Sequence, residues 1–131
     1  KLITSMRSID SLADGESYFF SELKRLKLIV DALGEERHFV VLDEILKGTN
    51  SADKALGSRQ FLERLVACYA TGIIATHDLG LCQAADDFDQ VHNYFFDAGI
   101  QNGELYFDYR LRPGICQNMN ASFLLKKMGV V

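Results

Sequence analysis

Apolar positions along this chain follow two rhythms in turn, one helical and one continuous. Phe19, Leu23, Leu26, Val30 and Leu33 return at helical spacing, with Phe20 widening the stripe, which predicts an amphipathic helix over 17–33. Lys24, Arg25 and Lys27 lie mostly off that stripe, and Gly34 is expected as the stop. After a polar turn at Glu35-Glu36-Arg37, the run His38-Phe39-Val40-Val41-Leu42 is unbroken, apolar and β-branched. Such a run suits a parallel strand buried on both faces. It ends at Asp43-Glu44. A second helix is predicted over 51–69, with Leu62, Leu65, Val66 and Tyr69 turned inward. Gly72-Ile73-Ile74-Ala75-Thr76 reads as another buried strand, halted by His77-Asp78, and a short helix follows over 79–85.

The pattern then changes. Strands are predicted over 91–96 and 105–110, joined by a loop over 97–103. Alternation of Leu105, Phe107 and Tyr109 with Tyr106, Asp108 and Arg110 gives the hairpin one wetter face, and Phe95, Phe107 and Tyr109 are expected on its core side. Pro113-Gly114 marks a turn, and Asn120 is expected to cap a last helix carrying Leu124, Leu125 and Met128. Strand and helix in alternation, closed by a hairpin and a helix, predict an α/β sandwich with parallel central strands. A right-handed crossover puts the helix after Asp43-Glu44 on one sheet face.

With 131 residues, 48% of them hydrophobic and 24% charged, the chain amounts to one domain or part of a larger one with a real core. A formal charge of −4 argues against a surface that grips phosphates unaided. Apolar runs of four or five residues are far short of a membrane span. The odd set Cys68, Cys82 and Cys116 has no C-x-x-C spacing, so reduced thiols in a cytoplasmic protein are expected. Cys68 and Cys82 should be buried and Cys116 the most accessible. A start at Lys1, without a signal peptide, gives the expectation of a piece of a longer protein.

Chemistry in open α/β sheets gathers beyond the carboxyl ends of the parallel strands. Two such ends carry reactive side chains here: Asp43-Glu44 and Thr76-His77-Asp78. Hydrophobics followed by two acids form the Walker B pattern. The first carboxylate, Asp43, would hold Mg²⁺, usually through water, and Glu44 would orient a water for attack on a terminal phosphate. The structural alternative is that both acids serve the N-terminus of the next helix. Gly48-Thr49-Asn50-Ser51-Ala52-Asp53 adds a small polar loop with a carboxylate. His77 could donate to a phosphate oxygen, whereas His38 and His92 fit a structural role.

These residues resemble a known family, the MutS mismatch-repair ATPases. Val40-Val41-Leu42-Asp43-Glu44-Ile45-Leu46-Lys47-Gly48-Thr49-Asn50-Ser51-Ala52-Asp53 is similar to its Walker B and D-loop run, V-L-L-D-E-I-G-R-G-T-S-T-x-D-G. Ala75-Thr76-His77 resembles the A-T-H switch. Asp10-Ser11-Leu12-Ala13-Asp14-Gly15-Glu16-Ser17-Tyr18-Phe19-Phe20-Ser21-Glu22 resembles the signature segment D-D-L-x-x-G-x-S-T-F-x-x-E. Tyr109-Arg110-Leu111-Arg112-Pro113-Gly114 resembles Y-x-L-x-x-G.

The resemblance implies the C-terminal part, over 1–131, of a P-loop NTPase-like ATPase domain of the ATP-binding-cassette type. It implies ATP and Mg²⁺ as cofactors and a homodimer that shares its ATP sites. Glu44 and His77 would then be catalytic; Ser17, Asp43, Thr49 and Asp53 would bind nucleotide, Asp43 through Mg²⁺. Ser17 would reach the γ-phosphate held by the opposite subunit, or act only as a helix N-cap. Glu22 is the signature glutamate by the same resemblance, or else a solvated helix charge. Lys54 stands where the pattern has glycine, Leu46-Lys47 replaces Gly-Arg, and Cys116-Gln117-Asn118-Met119-Asn120-Ala121-Ser122 lacks the usual S-Y-G-I, which points to a MutS-related paralogue. No G-x-x-x-x-G-K-[ST] occurs. The phosphate-cradling loop and the DNA-contacting domains are expected upstream, and this chain alone is expected to be inactive. Two other readings stand beside this one: a non-catalytic dimerisation module, and part of another chromosome-associated cassette ATPase.

Overall fold

Phe39–Asp43, the β-branched run, is the centre of a three-stranded parallel sheet. The computed structural model describes residues 1–6, 18–117 and 120–131. They fall into two units, Lys1–Ala84 and Ala85–Val131. In the first, β1 (Leu2–Ser5), α1 (Tyr18–Glu35), β2 (Phe39–Asp43), α2 (Ser51–Ala67), β3 (Thr71–Ala75) and α3 (Leu79–Cys82) follow in order. Strand β2 pairs with β1 from Leu2 opposite Phe39, and with β3 from Phe39 opposite Thr71. Sequence analysis did not foresee β1, because four residues with one buried position, Ile3, carry almost no periodic signal.

The spatial order β1-β2-β3 advances the same way twice. Right-handed crossovers in that order put both connecting helices on one sheet face. The core agrees: Leu26 and Ile29 of α1 and Leu65 of α2 pack with Ile3, Val40 and Leu42, and Phe61 and Ile74 close in at the edge. Val40 and Leu42 alternate inward, while Phe39 and Ile73 on the other face are exposed, Ile73 by 60%. The expectation of strands buried on both faces is therefore corrected. Among the described residues, the helices cover one face only.

Helix α1 is rotated and longer than its stripe predicted. Glu22, Leu26 and Ile29 are its buried positions, Phe20 and Leu23 are exposed, and Gly34 lies inside the helix. The rotation has a cause: Glu22 turns inward to meet backbone amides. Helix α2 buries Leu62 and Leu65 as expected, but it ends at Ala67, and Tyr69 is left-handed (φ 53°) and exposed. Gly72 is required where it stands, since a Cβ there would lie 2.2 Å from the Val40 carbonyl oxygen. No helix among the described residues is long and apolar enough to cross a membrane.

The second unit holds most of α4 (Ala84–Asp87), then β4 (Tyr94–Gln101), β5 (Glu104–Pro113) and α5 (Asn120–Lys127). The short helix expected over 79–85 is thus two, α3 and α4. Strands β4 and β5 form an antiparallel hairpin closed by Asn102-Gly103, both with positive φ (52° and 75°), the type I′ signature. The long loop expected over 97–103 is mostly strand. Asn120 begins α5, and its Nδ2 donates to the Ala98 carbonyl (2.8 Å), while Lys127 Nζ reaches that of Gly103 (2.8 Å).

No described residue of this unit is buried. Phe107 and Tyr109, expected on the core side, are exposed, Tyr109 by 83%. The reason is a bulge: Phe96 pairs with Leu111 and Ala98 with Phe107, so Asp108, Tyr109 and Arg110 together oppose Asp97. Tyr109 turns left-handed (φ 55°), and the two-residue alternation breaks there. The three cysteines are all half-buried, which corrects the expected contrast between Cys116 and the other two. Burial, reinforced by Asp78, pushes the Cys82 thiol up.

Candidate functional site

At the carboxyl end of β2 the chain leaves the sheet through two left-handed non-glycine residues, Glu44 (φ 48°) and Leu46 (φ 57°). Each such conformation costs on the order of 1–3 kcal/mol, and it persists only where its surroundings over-determine it. Three anchors do so here. The Glu44 amide donates to the Ala75 carbonyl (2.8 Å), extending the β2–β3 ladder by one bond. Ile45 and Leu46 are both buried in the core. Glu22, buried on α1, accepts from the Leu46 amide and from the Lys47 amide (3.2 Å). A carboxylate holding two backbone amides is a charge-assisted clamp. The solvated-charge alternative for Glu22 is thereby excluded.

The clamp aims the Glu44 side chain at the end of β3. Its Oε1 accepts from Thr76 Oγ1 (3.1 Å) and from Lys54 Nζ (2.9 Å), and its Oε2 accepts from the His77 amide (2.8 Å). Thr76 Oγ1 in turn accepts from the Asp78 amide (2.9 Å), and Asp78 caps α3 through the Gly80 and Leu81 amides. Burial pushes the Glu44 carboxyl up, but Lys54, the His77 amide and Thr76 outweigh it, so the group lies below the ordinary glutamate range. Glu44 is therefore ionised at neutral pH.

Beside it, a cavity of about 340 Å³ opens between the ends of β1 and β2 and the first turns of α1. Asp43 and Glu44 line it; Arg25 and Lys47 bring positive charge, and Ser21 and Thr4 bring oxygens. Arg25 Nε donates to the Thr4 carbonyl (2.7 Å), which ties the α1 side of the cavity to β1. Asp43 is half-buried. Among the described residues, no group of three His, Cys, Asp or Glu side chains could hold a metal ion unaided. A Mg²⁺ ion bound through one or two carboxylates and completed by phosphates and water needs no such cage, and Asp43 is a donor of the right kind.

The residues expected to carry chemistry do not all converge. Asp43 and Glu44 line the cavity; His77 meets Glu44 through its main-chain amide, and the residue itself is exposed. Thr49 is half-buried in the loop before α2 and does not line the cavity. Asp53 is exposed in the first turn of α2, where its amide donates to Asn50 Oδ1 (2.9 Å) and its carboxylate accepts from Asn50 Nδ2 (2.8 Å). Ser17 lies outside the described residues. Sequence reasoning missed Lys54 and Thr76 as partners of Glu44, and Arg25 and Lys47 as the cavity's cations.

Comparison with known proteins supplies the family. The family model MutS domain V matches residues 1–127. The chain is 32% identical over 120 residues to the DNA mismatch repair protein MutS of Natronomonas pharaonis, covering 89% of this chain and 14% of that protein. To the DNA mismatch repair protein MutS 2 of Haloarcula marismortui it is 32% identical over 117 residues, 87% of this chain and 12% of the relative. To the DNA mismatch repair protein MSH4 of Arabidopsis thaliana it is 26% identical over 128 residues, 98% of this chain and 16% of the relative. The chain thus spans about one-seventh of the length of the curated relatives it matches. With nearly its whole length covered by the model of one domain, the chain belongs to the MutS family of DNA mismatch repair proteins, within MutS domain V.

Proposed function

We propose that this chain is the C-terminal part of an ATPase domain of the P-loop, cassette type in a MutS-like DNA-binding repair protein. The observation that carries the reading is Glu44: a carboxylate ionised, aimed and hydrogen-bonded at the carboxyl end of the central parallel strand, next to Asp43 and a cavity. In this reading Asp43 holds Mg²⁺ through water. Mg-ATP, when bound, supplies a phosphoanhydride whose terminal phosphorus is open to in-line attack. Glu44 orients the attacking water and accepts its proton. His77, whose own amide donates to Glu44, reports the terminal phosphate with its side chain. Ser17, Thr49 and Asp53 serve nucleotide bound across a homodimer interface; that role also accounts for Thr49 and Asp53 standing away from the cavity. DNA is contacted by other parts of the protein.

Full-length protein bearing Glu44→Gln tests this. Turnover should fall at least about a hundredfold, the usual contribution of a positioned general base, while ATP affinity stays within a few-fold of the parent. Undiminished turnover would remove Glu44 as the base. Loss of both binding and turnover would make it a structural residue.

A non-catalytic dimerisation module has one observation in its favour. The unit Ala85–Val131 exposes Tyr94, Phe96, Leu111 and Met128, and none of its described residues is buried, so it is built to be covered. Wild-type turnover in the same assay separates the two readings.

A further inference from the structure

Lys54 sits at the start of α2, ten residues beyond Glu44 in sequence, and its ammonium lies 2.9 Å from Glu44 Oε1. The pair is mostly shielded, with the two side chains 27% and 16% exposed. Its geometry is set from both sides. Asn50 caps α2, and the Lys54 amide donates to the Asn50 carbonyl (2.9 Å), so the first turn that carries Lys54 is fixed. Glu44 is fixed by the Ala75 carbonyl behind it and by Thr76 and His77 beside it.

An ionised carboxylate offers about four lone-pair directions, two on each oxygen. Lys54 and Thr76 occupy both on Oε1, and the His77 amide takes one on Oε2. A water approaching Glu44 finds a single acceptor direction left, on an oxygen already sharing charge with an amide. Thr76 and the His77 amide belong to the strand end that aims the carboxylate. Lys54 comes from another element and adds a full positive charge. Only the lysine can leave without dismantling the aim.

We propose that Lys54 is a restraining residue for ATP hydrolysis: its ion pair with Glu44 withholds the carboxylate from the attacking water and prolongs the ATP-bound state. The inference rests on the ATPase reading above and adds to it the element that sets the rate. Lysine at a position where the family pattern has glycine makes the restraint a property of this chain.

The experiment uses the full-length protein as wild type, Lys54→Met, Lys54→Arg and Glu44→Gln. Without nucleotide, a water-soluble carbodiimide should join Lys54 to Glu44 as an amide found by peptide mass spectrometry, with no such link in Lys54→Met. In turnover, Lys54→Met should raise kcat about three- to tenfold with KM unchanged, since a carboxylate freed to meet the water acts on the chemical step alone. Lys54→Arg should keep the wild-type rate. An absent cross-link in folded wild-type protein overturns the proposal, as does Lys54→Met turnover equal to or below wild type. If Lys54→Met does not fold, Lys54→Gln replaces it with the same criteria. Failure of the ATPase reading looks different: wild type would not bind ATP, or Glu44→Gln would hydrolyse it at the wild-type rate. Either result removes the restraint along with the base.

Discussion

Glu22 holds the chain turn that presents Asp43 and Glu44, although it stands more than twenty residues before them. Its carboxylate is buried and accepts from the Leu46 and Lys47 amides, so truncation would strand two donors and vacate space beneath a left-handed turn. Glu22→Ala should therefore lower stability by about 2–4 kcal/mol, more than an ordinary lost hydrogen bond, and Glu22→Gln by about 1–2 kcal/mol. Denaturant unfolding reads both; equal, small losses would show that the core alone holds the turn. Glu44 gives a pH signature. Its folded carboxyl lies below the ordinary value near 4.5, so the fold favours the ionised form. That stabilisation is complete above the ordinary value and disappears as pH falls through the lower folded one. The melting-temperature gap between wild type and Glu44→Gln should be full at pH 6 and shrink below about pH 4. A gap that stays constant to pH 3 would mean that the carboxylate contributes no net charge interaction. Asp43 and Glu44 were legible as a strand ending in acids. Lys54 and Thr76 were not, because hydrogen bonds across ten and thirty-two residues leave no local pattern. Glu22 stood out only through the family resemblance, with a solvated charge as the alternative, because periodicity registers only apolar positions.

Turns and bulges decide the elements of the second unit. Asn102 and Gly103 both take positive φ, and Gly103 at 75° has open space where a Cβ would go. The cost of a side chain there is purely conformational. Gly103→Ala should destabilise the hairpin by about 1 kcal/mol, the left-handed penalty for an L-residue, with no steric addition. Hydrogen exchange of the β4–β5 amides reads this locally; protection that does not fall would mean that α5, through Lys127, fixes the turn regardless. The same two residues were visible in the sequence as Asn-Gly, the strongest short hairpin signal, inside a stretch expected to be loop. The bulge at Asp97 was invisible because two-residue alternation assumes a constant register. In the first unit β2, α2 and β3 were legible from long apolar periods. The burial of their faces was not. Sequence shows that Phe39 and Ile73 are apolar, whereas strand order and crossover handedness decide which face the helices cover.

For the chain as a whole, charge and cavity together predict how it meets nucleotide by itself. A polyphosphate entering the cavity of the first unit faces Glu22, Asp43 and Glu44, with Arg25 and Lys47 opposing them. Arg25 already serves the Thr4 carbonyl, and Lys54 serves Glu44. Over its full length the chain carries −4, so long-range attraction works against an anion. Phosphoryl binding draws its strength from a glycine-rich loop of backbone amides and a lysine, and the sequence has no G-x-x-x-x-G-K-[ST] to provide them. Mg²⁺ does not reverse this balance, because one or two carboxylates hold it weakly until phosphates complete its shell. The 131-residue chain should therefore neither hydrolyse Mg-ATP nor bind it with micromolar affinity, and calorimetric titration should show no saturable heat at tens of micromolar. Micromolar binding corresponds to about −8 kcal/mol and would require a phosphate site built from these residues alone. Among the described residues Arg25 and Lys47 are its cationic lining, so Arg25→Ala and Lys47→Ala should then weaken it sharply. Unchanged affinity in both variants would show that these two cations do not hold the nucleotide.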